Sequence, residues 1–201
     1  MNTLLKWTML SLFLLPAYPA AAALTPAQLV AATADTLLKE LTAKRAELEQ
    51  DHSKLYALVE ERVLPLFDFT RMSKLVLARN WRKASKRQRT DFTLQFKNLL
   101  VRTYSTALFN YTGQKIKYLP VRKKKGSKRV VVRSQIMQDS GGSLPINYSL
   151  IQNRDRSWKI YDVAVDGVSL VTNYRTSYNR IIGQQGMDTL ISMLKEKSTQ
   201  Q

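Results

Sequence analysis

The sequence predicts an α+β fold, in which a curved, four-stranded antiparallel sheet is packed by helices from both ends of the chain. Apolar residues recur at helical spacing as far as Tyr111, alternate with polar residues from Lys115 to Val165, and return to helical spacing after Leu170. Connections within the alternating region are short, polar and mostly glycine-bearing, which favours antiparallel neighbours over helical crossovers. The order of helices, meander and helices is typical of a single α+β domain.

The first 23 residues have the pattern of a cleaved secretory signal. Lys6 is followed by an apolar run from Trp7 to Leu15, and small residues occupy positions 21 to 23. The alternative is a retained membrane anchor, but the run is shorter than the roughly 20 residues that a membrane-spanning helix needs, and Pro16 and Pro19 follow it. The pattern therefore predicts a signal peptide at residues 1–23 and one exported, soluble domain at residues 24–201.

The composition restricts the partners of this domain. The chain has no cysteine, which excludes a disulfide framework, and its formal net charge is +17. The positive charge is concentrated in two segments, Arg79–Arg89 around a loop and Val121–Arg133 around a hairpin. Such an excess indicates an anionic partner: phosphate headgroups, an acidic protein surface or nucleic acid. Export and the lack of aromatic residues in the hairpin argue against nucleic acid, while a solvated basic surface without a partner remains an alternative.

The N-terminal half predicts three helices before its longest one. Thr25, with Gln28 three residues later, forms a capping-box signal for a long helix, and a shorter helix ends before Pro65. A further short helix follows, with Asp68 or Thr70 near its cap. The apolar stripe of the first helix consists of Val30, Ala34, Leu37, Leu41 and Leu48.

A second capping box, at Ser85 and Gln88, opens the most strongly patterned helix, which Gly113 is suited to end. The strands that follow are predicted at Lys115–Arg122, Lys128–Gln138, Leu144–Gln152 and Trp158–Val165. In the last of these, Trp158 and Ile160 fall on one face, and Val163 and Val165 on the other. Tyr161 falls on the same face as Val163 and Val165. Either both faces are covered or a bulge shifts the register. Two final helices are predicted, separated by Gly183 and Gly186.

The inventory of reactive residues argues against catalysis. The only histidine is His52, and the chain has no cysteine, no G-x-S-x-G elbow and no cluster of metal-ligating residues. The remaining enzymatic alternative is an isomerase-like or other small-molecule site that uses Asp162 or Asp166 in a curved-sheet pocket. The structural alternative is simpler, because Asp166-Gly167 is a turn pair and Asp162 has many cations to pair with. The sequence therefore favours a protein that is not an enzyme.

Two stretches carry a family resemblance: "FDFTRMSKLVLARNWRKASKRQRTDFTLQFKNLLVRTYSTALFNYTGQKIKYLP" and "WKIYDVAVDGVSLVTNYRTSYNRIIGQQGMDTLISML". Together they resemble the MlaC / toluene-tolerance auxiliary family of periplasmic phospholipid-binding proteins. The resemblance implies an apolar cavity between sheet and helices that holds the acyl tails, with phospholipid as cargo and no cofactor. It also implies two partners, an inner-membrane ABC transporter complex and an outer-membrane lipoprotein–porin complex, between which lipid is shuttled to maintain outer-membrane lipid asymmetry.

Carried onto this chain, the resemblance places lipid-lining positions in the helices, on the inward faces of the strands and at the corner after the last strand. The resulting candidates are Phe69, Met72, Trp81, Phe96, Tyr104, Val132, Tyr148, Trp158, Val165, Val168 and Tyr174.

Overall fold

A computed structural model describes residues 24–109, 111–122, 124–138 and 141–199, so the predicted signal peptide lies outside the described residues. The α-helices are α1 (Pro26–Ala43), α2 (Arg45–Gln50), α3 (His52–Arg62), α4 (Phe69–Leu77), α5 (Arg79–Lys83), α6 (Lys86–Phe109), α7 (Leu170–Gln185) and α8 (Met187–Thr199), with a 3₁₀ turn at Leu64–Leu66. The strands are β1 (Ile116–Tyr118), β2 (Arg129–Met137), β3 (Ser143–Gln152), β4 (Trp158–Val165) and β5 (Val168–Ser169).

Both predicted capping boxes are present. Thr25 Oγ1 accepts a hydrogen bond from the Gln28 backbone N–H at the start of α1, and the Gln28 side chain accepts from the Thr25 backbone N–H. Ser85 and Gln88 form the same reciprocal pair before α6, at 3.0 and 3.1 Å. Each box satisfies backbone donors that the first helical turn leaves without partners. The first helix is shorter than predicted, because Lys44 leaves helical geometry and α2 begins after it.

The junction between α4 and α5 was not predicted. The side chain of Asp68 accepts from the Arg71 backbone N–H, so Asp68 rather than Thr70 caps α4. The helix ends at Ala78, whose φ of 49° and ψ of −118° lie in a region that residues with a Cβ rarely adopt. Helix α7 holds the end of α4 in place, since Asn179 Nδ2 donates to the Val76 carbonyl at 2.9 Å.

The C-terminal helices differ from the prediction in one respect. Helix α7 continues through Gly183 to Gln185 and is capped by Gly186, whose φ of 86° is readily accessible only to glycine. The predicted break at Gly183 is therefore wrong, and a single residue separates α7 from α8. A glycine inside a helix weakens it by about 1 kcal/mol, which packing against neighbouring helices can offset.

The sheet is antiparallel throughout, in the order β1-β2-β3-β4-β5. Of the two explanations for the fourth strand, the bulge is correct: Ser149 pairs with Asp162 and Leu150 with Ile160, which leaves Tyr161 as the extra residue. The bulge brings residues 160, 163 and 165 onto one face, because strand residues alternate between faces unless one is inserted.

The sheet has five strands where the sequence predicted four. Asp166 and Gly167, both with positive φ, form a two-residue turn, after which Val168 pairs with Val165 to start β5. Positive φ at both central residues matches the right-handed twist of a hairpin. A strand of two residues is too short to show an alternating pattern, which is why the sequence did not predict it.

Three clusters of buried side chains hold these elements together. The helix cluster joins α4, α6, α7 and α8, and the sheet cluster joins the inner face of β2, β3 and β4 to α1 and the 3₁₀ turn. A third cluster joins α1, α2, α3 and α6. Helix α1 contributes to two of them, because Val30 packs on the sheet and Leu37 on the helices. Phe67 packs against both the helix cluster and the sheet cluster.

Candidate functional site

The structure divides the predicted lipid-lining residues between two clusters. Those in or against the helix cluster are Phe69, Met72, Trp81, Phe96, Tyr104 and Tyr174. Those in or against the sheet cluster are Val132, Tyr148, Trp158 and Val165. The eleventh, Val168, is 58% exposed in β5 and belongs to neither cluster.

Burial separates these residues further. Met72, Phe96 and Val132 are fully buried, so they offer no free surface to a ligand in this conformation. Tyr104, Tyr148, Val165 and Tyr174 are only partly buried. These four side chains, together with Phe69 and Trp81, therefore keep exposed surface that a ligand can contact.

The inner face of the sheet is covered unevenly. At one end, Val130, Leu150 and Ile160 are almost completely buried beneath α1 and the 3₁₀ turn. At the other end, Ile146 lies opposite Val165 in the register, and both remain partly exposed. We call this second part the open end of the inner face. It is apolar surface that the described helices do not fully cover.

The phenols of Tyr118 and Tyr148 at the open end carry no charge. Burial raises the pKa of Tyr148, partly opposed by a hydrogen bond with Ser134, and burial also raises the pKa of Tyr118, with Tyr148 and Asp35 adding to the effect. Both phenols therefore stay neutral at physiological pH. Ser134 is buried and donates to the Ile146 carbonyl at 3.2 Å. Tyr118 and Ile146 were not among the predicted site residues, although pairing of adjacent strands could have placed both on the inner face.

One pocket lies beside Tyr118, and another lies beside Tyr174. The first, about 530 Å³, lies between the start of α1 and the segment after β1, and is lined by Thr25, Pro26, Ala27, Tyr118, Leu119, Pro120 and Val121. The second, about 430 Å³, lies between α6 and α7, and is lined by Leu99, Thr103, Asn173, Tyr174, Ser177, Tyr178, Ile181 and Lys197. Each has the size of an ordinary small-molecule pocket.

The second pocket has an aromatic wall. The ring of Phe96 meets Tyr174 edge-on at 5.2 Å and Tyr178 at 6.1 Å. Burial raises the pKa of both phenols, and the neighbouring hydroxyl of Tyr104 adds to the effect. Neutral tyrosines provide apolar contact area together with a hydroxyl that can form hydrogen bonds.

The two candidate acids have structural roles. Asp162 lies on the outer face of the sheet, where its carboxylate accepts hydrogen bonds from Ser169 Oγ at 2.7 Å and from the Val171 backbone N–H at 3.1 Å. Asp166 is exposed in the turn before β5. The Asp162 carboxylate points away from the open end of the inner face, so it is not positioned to act as a base there.

The lone histidine, His52, is exposed at the start of α3. Within the described ranges, no group of three or more histidine or acidic residues is arranged to hold a metal ion. Over the same part of the chain, no helix combines the length and the hydropathy required to span a membrane.

The chain matches the family model for MlaC protein over residues 31–196, which is most of its length. The chain belongs to the MlaC family. The resemblance inferred from the two sequence stretches is thus confirmed.

Relatives in the MlaC family support the match along the whole chain. The intermembrane phospholipid transport system binding protein MlaC of Haemophilus influenzae is 28% identical over 201 residues, covering 97% of this chain and 94% of the relative. The toluene tolerance protein ttg2D of Pseudomonas putida is 29% identical over 180 residues, covering 88% of this chain and 83% of the relative.

A solved structure has the same fold. The phospholipid-binding protein from Ralstonia solanacearum, determined in complex with a phospholipid, superposes with a TM-score of 0.79 and is 27% identical to this chain. The similarity covers 87% of this chain and 97% of the Ralstonia protein. The α+β architecture is therefore that of a fold in which a phospholipid has been seen bound.

Proposed function

We propose that this protein is a periplasmic phospholipid carrier that holds acyl tails without covalent chemistry and shuttles lipid between the outer and inner membranes. The similarity to the phospholipid-bound Ralstonia protein carries the proposal. The name of the Haemophilus relative supports a role in intermembrane transport. The proposed partners are an inner-membrane ABC transporter complex and an outer-membrane lipoprotein–porin complex, and the protein is proposed to reach the periplasm through removal of residues 1–23.

We place the acyl tails against the open end of the inner face. Ile146, Tyr148 and Val165 form the sheet wall, and we propose that the partly buried Tyr104 and Tyr174 form the helix wall. A buried methylene contributes about 0.8 kcal/mol, so two tails of ordinary length represent roughly 20–25 kcal/mol of transfer free energy. A carrier must cover nearly all of that apolar surface, since otherwise the lipid would remain in the bilayer.

Neutral tyrosines suit this role. Placing a charge within reach of the tails would cost several kcal/mol, because an ion loses its hydration against hydrocarbon. The phenols of Tyr118 and Tyr148 instead provide hydroxyl groups without charge at the open end. Such groups can interact with the ester region of a lipid while the rings contact its tails.

A charged side chain at Val165 tests the proposal. The Val165→Asp variant places a carboxylate on the inner face opposite Ile146, whereas the control, Val131→Asp, places the same charge on the outer face of β2. Both proteins are purified from the periplasm and examined by native mass spectrometry, with circular dichroism to verify folding. We expect phospholipid adducts on the wild type and on the control, and at least a tenfold lower occupancy on Val165→Asp.

Lipid occupancy that is equal in the folded Val165→Asp protein and in the wild type would refute the proposed tail site. A wild-type protein that carries no lipid and takes none from vesicles would refute the carrier function itself.

A further inference from the structure

The outer face of the sheet carries a row of exposed side chains along β2. Because strand residues alternate between faces, Arg129, Val131, Arg133, Gln135 and Met137 point away from the sheet cluster, at intervals of about 7 Å. Val131 is 45% exposed and Met137 40%. On the neighbouring strand, Lys117 is paired with Gln135 and so adds a further cation to the same face. We call this set the outer-face row.

The charge around the outer-face row is strongly one-sided. Residues 111–165 contain twelve of the 32 lysines and arginines of the chain, but only three of its 15 acids. Among the residues that the structure describes, Lys117, Arg129 and Arg133 are not within ion-pair distance of any acid. Among the described strand residues on this face, the one acid is Asp162, whose carboxylate already accepts hydrogen bonds at the start of α7.

We propose that the outer-face row binds the surface of an anionic phospholipid bilayer. Long cationic side chains lie along the exposed outer face of β2. They match a bilayer surface, whose negative charges are numerous and mobile, because each cation adds attraction without requiring a fixed partner. The exposed Val131 and Met137 lie among these cations, where they can contact the interfacial region of the bilayer.

A bilayer fits this row better than an acidic protein does. Protein interfaces concentrate their binding energy in a few aromatic side chains set in well-packed pockets. The five outward residues of β2 from Arg129 to Met137 include no aromatic, and neither pocket described above opens among them. The outer-face row is therefore better suited to bind a charged surface than a pocketed protein interface.

The inference stands apart from the proposed carrier function, because the outer face and the open end lie on opposite sides of the sheet. It is tested by flotation of the full mature chain with vesicles of phosphatidylcholine alone, or of phosphatidylcholine mixed with phosphatidylglycerol. The test variant is Arg129→Gln/Arg133→Gln. The matched control, Arg82→Gln/Lys83→Gln, removes two exposed cations from α5, outside the row.

We expect binding to the anionic vesicles only, and weaker binding as salt is added. Attraction of about 1 kcal/mol per cation corresponds to roughly fivefold in affinity, so the double variant should bind about 25-fold more weakly. The α5 control should retain most of the affinity. The Val165→Asp variant should still float with the vesicles, which separates this result from loss of the tail site.

If the double variant and the α5 control lost the same amount of affinity for anionic vesicles, the proposal would be overturned, because net charge rather than the row would then explain the binding. Equal binding to neutral and anionic vesicles would also overturn it. So would the absence of binding to either kind of vesicle, which would point to an acidic protein as the partner of this face.

Discussion

Replacing Asp162 with alanine is expected to destabilise the fold without affecting the lipid site. The carboxylate accepts hydrogen bonds from the Val171 backbone N–H and from Ser169 Oγ, and so connects β4 to the first turn of α7. A hydrogen bond to a charged group contributes about 1.5–3 kcal/mol, and a negative charge near a helix N-terminus adds roughly 0.3–1 kcal/mol. Because Asp162 is partly exposed, water can replace part of this hydrogen bonding in the variant. We therefore expect the free energy of unfolding to fall by about 2 kcal/mol.

The assay is urea and thermal denaturation of the wild type, Asp162→Ala and Asp162→Asn, together with native mass spectrometry of each. For a domain of this size, about 2 kcal/mol lowers the melting temperature by roughly 4–8 °C. Asparagine retains one acceptor oxygen but not the charge, so it should lose about half as much stability. All three proteins should carry the same amount of lipid, because the carboxylate lies on the outer face.

Two results would refute this reasoning. An unfolding free energy within about 0.5 kcal/mol of the wild type would mean that the hydrogen bonds to α7 are not stabilising. Loss of bound ligand at unchanged stability would place the carboxylate in a binding site, as the isomerase-like alternative requires.

Two further predictions concern backbone strain and pH. In urea denaturation, Ala78→Gly should stabilise the protein by about 1 kcal/mol, because the backbone strain at φ 49° exceeds the entropy cost of glycine. The control is Ala107→Gly, on the exposed surface of α6, which should destabilise the protein by a similar amount. A loss of stability in both variants would show that Ala78 is not strained. Burial raises the pKa of Tyr178, so above pH 10 the unfolded chain releases this proton while the folded protein retains it, and stability falls with pH. The stability of the wild type relative to Tyr178→Phe should fall by about 1 kcal/mol between pH 10 and 11, because the unfolded tyrosine is only partly deprotonated in this range, and a pH-independent difference would contradict the assignment.

Local signals in the sequence were sufficient for much of the fold. Thr25 and Ser85 were identified as helix starts because a capping box needs only residues three positions apart. The order of helices and antiparallel strands followed from the change between helical and alternating periods. Features that depend on strain or on very short elements were not found in this way, namely the corner at Ala78 and the two-residue strand β5.

The candidate site shows where local patterns stop being informative. The family resemblance implied that Met72 and Tyr104 belong to the same lining, but neither a resemblance nor periodicity reports how completely another element covers a helix face. Only the tertiary structure separates the buried Met72 from the partly exposed Tyr104, and only the strand register places Tyr118 in line with Ile146 across β2.

The sequence by itself determined the family, the α+β class, the main helices and strands and the excess of positive charge, because each depends on residue types and spacings along the chain. The tertiary structure decided which part of the inner face stays uncovered and that Asp162 points outward to α7. It also decided that the cations of β2 form one exposed row. Those outcomes depend on contacts between residues far apart in the chain, which a one-dimensional pattern does not contain.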